Sequence, residues 1–228
     1  MPANQHVFAE GSDNQLRLVG DFNALYTEVA DPWGQSAQGG TDMDRYYAFS
    51  RARVVAAARN STQEIPYRGL EIGCGHGHVV DTLRHSCYYP WFGIDVSPVA
   101  VETARRLYPQ STFFVEDITA DWNPREMPGV LGQYNVVLLG QMLWYILPKL
   151  DAALARCATL TAPGGTFIIS QAFLREQRYG RDIVDGFDGL VRLLLNRWAD
   201  VFRLIEARYD DSETYCHHDG IVVLRRLA

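Results

Sequence analysis

The sequence has few cysteines, and their positions argue against disulfide and metal frameworks. Only four of the 228 residues are cysteine, at positions 74, 87, 157 and 216. None of them follows another at the short spacing that is typical of a zinc site or a redox pair. We therefore expect reduced thiols, no metal site and a cytoplasmic protein.

Long apolar runs and an excess of positive charge are also missing. No window approaches the ~18 uninterrupted apolar residues of a membrane-spanning helix, and the first residues lack the basic and then apolar pattern of a signal peptide. Lys149 is the only lysine, and the formal net charge is −6. A nucleic-acid groove is normally basic. We expect neither a membrane nor a nucleic acid as a partner.

Apolar residues are nevertheless abundant enough for a full core. They make up 47% of the chain, which suits one α/β domain of this length. We predict an N-terminal segment over residues 1–60, in which a polar, glycine-rich stretch precedes a helix from Asp44 to Arg59. The domain itself is predicted over residues 61–228.

A glycine-rich turn is the most informative motif. Gly73, Gly75 and Gly77 follow the apolar run 69–72 and precede a helical pattern. Glycines at a strand-to-helix turn let the backbone approach a nucleotide with no Cβ in the way. A dinucleotide-binding turn would have its third glycine at position 78, which is histidine here.

Several apolar runs, most of them separated by helical patterns, predict a parallel sheet. The runs are 69–72, 91–94, 112–115, 134–139 and 166–170. Polar residues follow three of them, namely Asp95, Asp117 and Gln141. The carboxyl ends of parallel strands meet at one edge of a sheet, so these side chains are expected at a single ligand-binding edge.

The end of the chain predicts a different pairing. Two strand-like runs, 202–209 and 220–226, are separated by about ten polar residues, which is too short for a helical crossover. We therefore expect them to pair antiparallel and to close the sheet.

In their order and spacing, the glycine turn, Asp95, Asp117, Gln141 and the turn at 163–165 resemble the class I S-adenosylmethionine-dependent methyltransferases. The resemblance covers about residues 68–170. It implies an α/β, Rossmann-like, doubly wound sheet of seven strands, mostly parallel with an antiparallel last strand, behind an N-terminal helical lid. It also implies S-adenosyl-L-methionine as the cofactor.

A second resemblance concerns the N-terminal segment. Asp31-Pro32-Trp33, followed by Tyr47 and Arg51, is similar to the signature of the nodulation protein S (NodS) group, which N-methylates a deacetylated chitooligosaccharide. It implies a small-molecule or sugar acceptor, with N-methylation favoured over O-methylation of a natural-product hydroxyl. The chain after residue 171 matches that group poorly. A protein that binds the cofactor without catalysis, or a nicotinamide-dependent reductase, is the alternative from another class.

The resemblance implies a set of cofactor-binding residues. They are Trp33, Tyr47, Arg51, Glu71, Gly73, Cys74, Gly75, Gly77, Asp95, Val96, Asp117, Ile118 and Gln141. Glu71 would hold the cofactor ammonium and Arg51 its carboxylate. Asp95 would accept the ribose hydroxyls, and Asp117 the adenine amino group, although a helix cap is the other interpretation of Asp117. Arg53 is expected to be a solvated arginine on another helix face.

Three residues are candidates for the transfer site itself. His217 and His218 precede the antiparallel last strand, whose start lies at the ligand-binding edge, and a histidine there can take a proton near neutral pH. Surface histidines on a polar loop are the alternative. Tyr145 is the next candidate base, and together with Trp33 and Trp144 it is expected to wall the site.

Overall fold

A computed structural model describes residues 5–36, 40–61, 67–120 and 134–228. The strands are β1 (Phe8–Glu10), β2 (Leu16–Leu18), β3 (Gly69–Ile72), β4 (Trp91–Asp95), β5 (Thr112–Val115), β6 (Tyr134–Gly140), β7 (Thr161–Phe173), β8 (Phe202–Asp210) and β9 (His218–Arg226). The helices are α1 (Phe22–Glu28), α2 (Asp42–Arg59), α3 (His78–Cys87), α4 (Pro98–Leu107), α5 (Leu143–Ile146), α6 (Leu150–Leu160) and α7 (Gly186–Arg197).

The central sheet has seven strands in the order β5-β4-β3-β6-β7-β9-β8. Strands β3 to β7 pair in parallel, whereas β9 runs antiparallel to both β7 and β8. This confirms the predicted Rossmann-like sheet and its antiparallel last strand. The carboxyl ends of β3, β4, β6 and β7 consequently meet at one edge.

Two apolar clusters cover the two faces of the sheet. One includes residues of α5, α6 and α7, such as Leu154 and Leu190, packed with Ile72 and Leu139 of the sheet. The other includes residues of α2, α3 and α4, such as Val54, packed with other sheet side chains. Because both faces bury apolar side chains, the strands are apolar along most of their length, as parallel strands between two helical layers are.

Local sequence signals explain where helices begin. Ser97 caps α4 by accepting a hydrogen bond from the backbone of Ala100, and Pro98 is its first residue, as predicted. Thr41 and Asp44 form a reciprocal capping box at the start of α2, so this helix begins at Asp42, two residues earlier than expected.

Strand β7 is longer than the predicted run of 166–170. It begins at Thr161, which pairs with Tyr134, and its register against β6 shifts before Thr166 pairs with Val136. The expected turn at 163–165 is therefore an irregularity within the strand, where Gly164 adopts a positive φ of 71°.

The N-terminal part contains elements that the sequence pattern did not predict. Strands β1 and β2 form an antiparallel hairpin, and α1 follows it. Asp21 caps α1 through the backbone of Ala24, 3.0 Å away. Helix α1 packs beside α4, and α2 packs on α3 and β7, so both helices lie against the domain.

Two absences among the described residues bear on function. No helix among them is both long and apolar enough for a membrane crossing. The same residues contain no group of three or more histidine, cysteine or acidic side chains that could hold a metal ion.

Candidate functional site

A cavity lies at the carboxyl ends of β3, β6 and β7, beneath α2. It encloses about 380 Å³, including space that is open to solvent. Its polar lining consists of Gln35, Tyr47, Ser50, Arg51, Glu71, Gln141 and Ser170. The predicted residues from the N-terminal helix, from the glycine turn and from the end of β6 are therefore brought together here.

Glu71 contributes the acidic side chain of this cavity. The side chain is buried, and its Oε2 atom has no hydrogen-bond partner. Burial raises the pKa of Glu71 to about 8, although the positive charge of Arg51 opposes the shift. A buried carboxyl oxygen without a partner is costly, which is consistent with a site that awaits a cationic ligand.

Arg51 contributes the positive charge. Its Nη2 atom donates to the backbone oxygen of Gln35 at 2.8 Å, and its guanidinium lies 5.7 Å from the ring centre of Tyr47. Its Nε atom is buried without a partner. Burial lowers the pKa of Arg51, while Glu71 acts in the opposite direction. The group stays charged at neutral pH because its ordinary pKa is above 12.

The glycine turn has the backbone shape that its residues predict. Gly73, Gly75 and Gly77 have φ values of 74°, 50° and 82°, a region that other residues rarely adopt. A Cβ on Gly73 would collide with the side chain of Met142. Cys74 is buried within the turn, so it can offer a ligand its backbone but not its thiol.

Asp95 is hydrogen-bonded to the same turn. Its Oδ2 accepts from the backbone N–H of Gly75 at 2.8 Å, and its Oδ1 accepts from that of Ser97 at 2.9 Å. Burial raises the pKa of Asp95, and these two hydrogen bonds act against the rise. Each oxygen keeps a free lone pair, so the predicted ribose contact is compatible with this geometry. Val96 follows as an exposed residue.

Asp117 and Ile118 lie at the end of β5. The Oδ1 atom of Asp117 accepts from the backbone N–H and the hydroxyl of Thr119, at 2.7 Å and 2.8 Å. Ile118 is buried, and its carbonyl accepts from Arg156 at 2.7 Å. Neither residue lines the cavity. The adenine contact stays a prediction.

Gln141 connects the end of β6 to α2. Its φ is 58°, a strained conformation for this residue type. Its Nε2 atom is 3.3 Å from the hydroxyl oxygen of Tyr46 and 3.4 Å from that of Ser50, and its Oε1 accepts from the backbone of Ala172 at 2.7 Å.

The expectation that Arg53 is solvated is wrong. Its Nη1 atom lies 2.5 Å from Oδ2 of Asp219, and the side chains are 9% and 1% exposed. The hydroxyl of Tyr46 donates to the other oxygen of Asp219 at 3.0 Å. The partner of Arg53 lies 166 residues further along the chain, so the helical pattern alone gave no signal for it.

The aromatic residues divide into two groups. Trp33 and Tyr145 are in ring contact at 5.7 Å, and Phe22 packs edge-on to Tyr145 at 5.1 Å. Trp144 instead packs against the core and against Phe173, and its Nε1 donates to the backbone of Ala172. Trp144 therefore has the core-packing role, whereas Tyr145 packs against Phe22 and Trp33 of the N-terminal segment.

The two histidines point to different neighbours. The ring of His217 packs edge-on to Tyr46 at 5.4 Å, and burial lowers its pKa. The Nδ1 atom of His218 lies 2.7 Å from the hydroxyl of Tyr209, and its Nε2 is buried without a partner. Through Tyr46, His217 is one side chain away from Gln141 of the cavity.

Sequence reasoning missed four residues at or near this edge: Tyr26, Tyr46, Ser50 and Asp219. Tyr46 and Ser50 are one helical turn apart and share the buried side of α2, so their spacing was the available signal. No local pattern marked Tyr26 or Asp219, because their partners are distant in sequence.

The polar groups that line the cavity fit the amino-acid end of S-adenosylmethionine. That end has one ammonium and one carboxylate group. Glu71 offers a carboxyl oxygen and Arg51 a guanidinium nitrogen, both buried and both without a partner. Asp95 and the glycine turn lie next to Glu71 and Arg51. The adenosyl group of a bound cofactor would extend in their direction.

Comparisons with known proteins agree with this fit. Residues 70–165 match the family described as "Methyltransferase domain". A 109-residue segment is 32% identical to trans-aconitate 2-methyltransferase of Methylobacterium radiotolerans, covering 46% of this chain and 38% of that protein. The chain thus spans well under half the length of this curated relative.

Solved structures show the same fold. The N-methyltransferase NodS of Bradyrhizobium japonicum WM9, in complex with S-adenosylhomocysteine, is 17% identical with a TM-score of 0.64, over 87% of this chain and 93% of that one. Magnesium protoporphyrin IX methyltransferase of Synechocystis PCC 6803, with bound S-adenosylmethionine, is 17% identical with a TM-score of 0.64, over 90% and 93%. Residues 70–165 of the chain thus match a methyltransferase domain, and the chain shares its fold with these two methyltransferases.

Proposed function

We propose that the protein transfers the methyl group of S-adenosylmethionine to an amine or hydroxyl of a small-molecule or sugar acceptor, with N-methylation favoured. The observation that supports it most is that one cavity is lined by the carboxyl group of Glu71 and the guanidinium of Arg51, each with a buried atom that has no hydrogen-bond partner. The resemblance of Trp33, Tyr47 and Arg51 to the NodS signature supports the acceptor class.

In this proposal the residues of the chain bind the cofactor, orient its methyl group and shield the transfer site from water. When bound, S-adenosylmethionine supplies an activated methyl group on its sulfonium. Arg51 and Glu71 fix the amino-acid end, and Asp95 fixes the ribose, which restricts the orientation of the reacting group. The contacting rings of Trp33 and Tyr145 exclude water from the transfer site. Water there would otherwise stabilise the charged sulfonium of the cofactor.

The acceptor must lose a proton before or during transfer if it is a hydroxyl or a protonated amine. His217 is the better placed of the two histidines, because it contacts Tyr46 beside the cavity. Its pKa is lowered by burial, so its imidazole is neutral at pH 7 and able to accept a proton. Tyr145 is less available as a base, because burial raises its pKa and keeps the hydroxyl protonated, so it cannot accept a proton.

An acceptor panel tests the proposal. The purified protein is incubated with S-adenosylmethionine and matched pairs of sugars that differ only in whether an amine is free or acetylated, alongside small phenols and alcohols. Formation of S-adenosylhomocysteine with the free-amine sugars alone supports N-methylation. Formation with both members of a pair supports the O-methyltransferase alternative. Cofactor binding without turnover on any acceptor would favour the non-catalytic alternative.

Arg51→Met provides the control for that panel. It removes the guanidinium from the cavity while keeping an unbranched apolar side chain, so cofactor-dependent turnover should fall with every acceptor. A variant with unchanged turnover would show that Arg51 does not hold the cofactor.

A further inference from the structure

Tyr26 of α1 lies directly over the glycine turn. A Cβ added to Gly75 would come within 2.6 Å of the Tyr26 hydroxyl oxygen, so this hydroxyl occupies the space that the glycine leaves free. The backbone N–H of Gly75 in turn donates to Asp95. Tyr26, Gly75 and Asp95 therefore meet at one corner, which is separate from the corner that Glu71 and Arg51 share.

The position of this hydroxyl is fixed from several sides. The indole Nε1 of Trp33 donates to it at 2.9 Å, and the Tyr26 ring packs on His76 at 4.9 Å. Helix α1 is anchored beside α4 because the hydroxyl of Ser97 lies 3.3 Å from the Oδ1 atom of Asn23. The side chain is buried.

The hydrogen-bonding state of Tyr26 indicates what it can offer. Its oxygen accepts the Trp33 N–H, so its own O–H hydrogen points elsewhere. Among the residues that the structure describes, none accepts that hydrogen. Burial and the charge of Asp95 raise the pKa of Tyr26, which keeps the hydroxyl protonated. It is an oriented donor beside a ligand-binding turn.

We propose that Tyr26 is a cofactor-binding residue that donates a hydrogen bond to the ribose side of a nucleoside bound beside Gly75 and Asp95. This inference rests on the proposed function. It divides recognition of the cofactor between two corners: Glu71 and Arg51 bind the amino-acid end, whereas Tyr26 and Asp95 bind the nucleoside. Trp33 acts through Tyr26 as a positioning residue.

Affinities for two ligands distinguish the binding role of the Glu71 and Arg51 corner from that of the Tyr26 and Asp95 corner. S-adenosylhomocysteine has both ends, whereas 5′-methylthioadenosine has the nucleoside but no amino-acid group. Tyr26→Phe keeps the ring and removes only the hydroxyl, so calorimetric titration should show both ligands binding about 3- to 10-fold more weakly, as expected for one lost hydrogen bond. Arg51→Met should weaken S-adenosylhomocysteine and leave 5′-methylthioadenosine unchanged.

Tyr67→Phe is the matched control. Tyr67 is also a buried tyrosine with a hydroxyl that donates to a backbone oxygen, that of Ser61, but it precedes β3 at the opposite edge of the sheet. This variant should bind both ligands like the wild type. If Tyr26→Phe does not fold, Trp33→Phe removes the orienting donor while leaving Tyr26 in place, and should weaken both ligands about 2- to 5-fold.

Each outcome decides the inference. Unchanged affinity of Tyr26→Phe for both ligands would overturn it while leaving the proposed function intact. A loss confined to S-adenosylhomocysteine would overturn it as well, because the hydroxyl would then act at the amino-acid end. A wild-type protein that binds neither ligand would contradict the proposed function itself, and the inference with it.

Discussion

A carboxyl group as buried as that of Glu71 holds its proton more tightly in the folded protein than in the unfolded chain. Its pKa rises from the ordinary 4.5 to about 8. Between these two pH values the folded state binds a proton that the unfolded state has lost. The contribution to the free energy of unfolding is therefore complete below about pH 4.5, falls as the pH rises, and is lost above about 8.

This linkage gives a prediction for cofactor binding. A bound ammonium group favours the ionised carboxylate, so S-adenosylhomocysteine should bind with release of up to about one proton at pH 7. Titration calorimetry in two buffers of different ionisation enthalpy measures that release. Glu71→Gln, which does not titrate, should abolish it. Equal proton release from both proteins would mean that Glu71 does not meet the ammonium group.

A second prediction at this scale concerns the histidines. Replacing the catalytic base should lower turnover by about 10²–10⁴ while cofactor affinity stays the same. We expect this for His217→Ala, which lies beside Tyr46, more than for His218→Ala, whose Nδ1 is engaged with Tyr209 of β8. Steady-state kinetics together with calorimetry separate the two effects. If both variants turn over like the wild type, neither histidine is the base.

At the scale of elements, the buried pair of Arg53 and Asp219 fixes α2 on the last strand. Breaking a buried ion pair leaves an uncompensated charge, so Asp219→Asn should destabilise the protein by about 3–5 kcal/mol, as measured by urea unfolding. Cofactor affinity should fall too, because α2 also presents Arg51 to the cavity. A cost below about 1 kcal/mol would show that the pair does not hold the helix.

An exposed pair serves as the control for that experiment. Arg181 and Asp185 are 2.9 Å apart, with side chains 67% and 56% exposed. Arg181→Ala should change the free energy of unfolding by less than about 1 kcal/mol. Comparing Asp219→Asn with Arg181→Ala shows whether the loss in the free energy of unfolding comes from burial of the ion pair or from charge pairing alone.

Elements with strong local signals could be predicted from the sequence. The strands β3 and β5 have the predicted bounds, and Ser97-Pro98 marked the start of α4. The hairpin of β1 and β2 could not be predicted, since each of its strands has only three residues and its position depends on contacts distant in sequence.

The candidate site was predictable to a similar extent and for a similar reason. Glu71, Arg51 and Gln141, which line the cavity, could be named from the sequence, because Glu71 and Gln141 lie at strand ends and Arg51 stands at a signature spacing from Tyr47. Tyr26 and Asp219 were not, because their positions depend on how α1 and β9 pack against the rest of the chain. Sequence patterns therefore located residues that line the cavity better than residues that cover it.

At the scale of the whole molecule, the central claim is that one sheet edge binds S-adenosylmethionine through a charged corner and a nucleoside corner. Titration calorimetry of the full chain with S-adenosylhomocysteine and, separately, with NADH tests it most directly. We predict one binding site per chain for S-adenosylhomocysteine and no binding of NADH, with a stabilisation of about 2.7 kcal/mol at 100 times the dissociation constant. Binding of NADH without binding of S-adenosylhomocysteine would contradict the account.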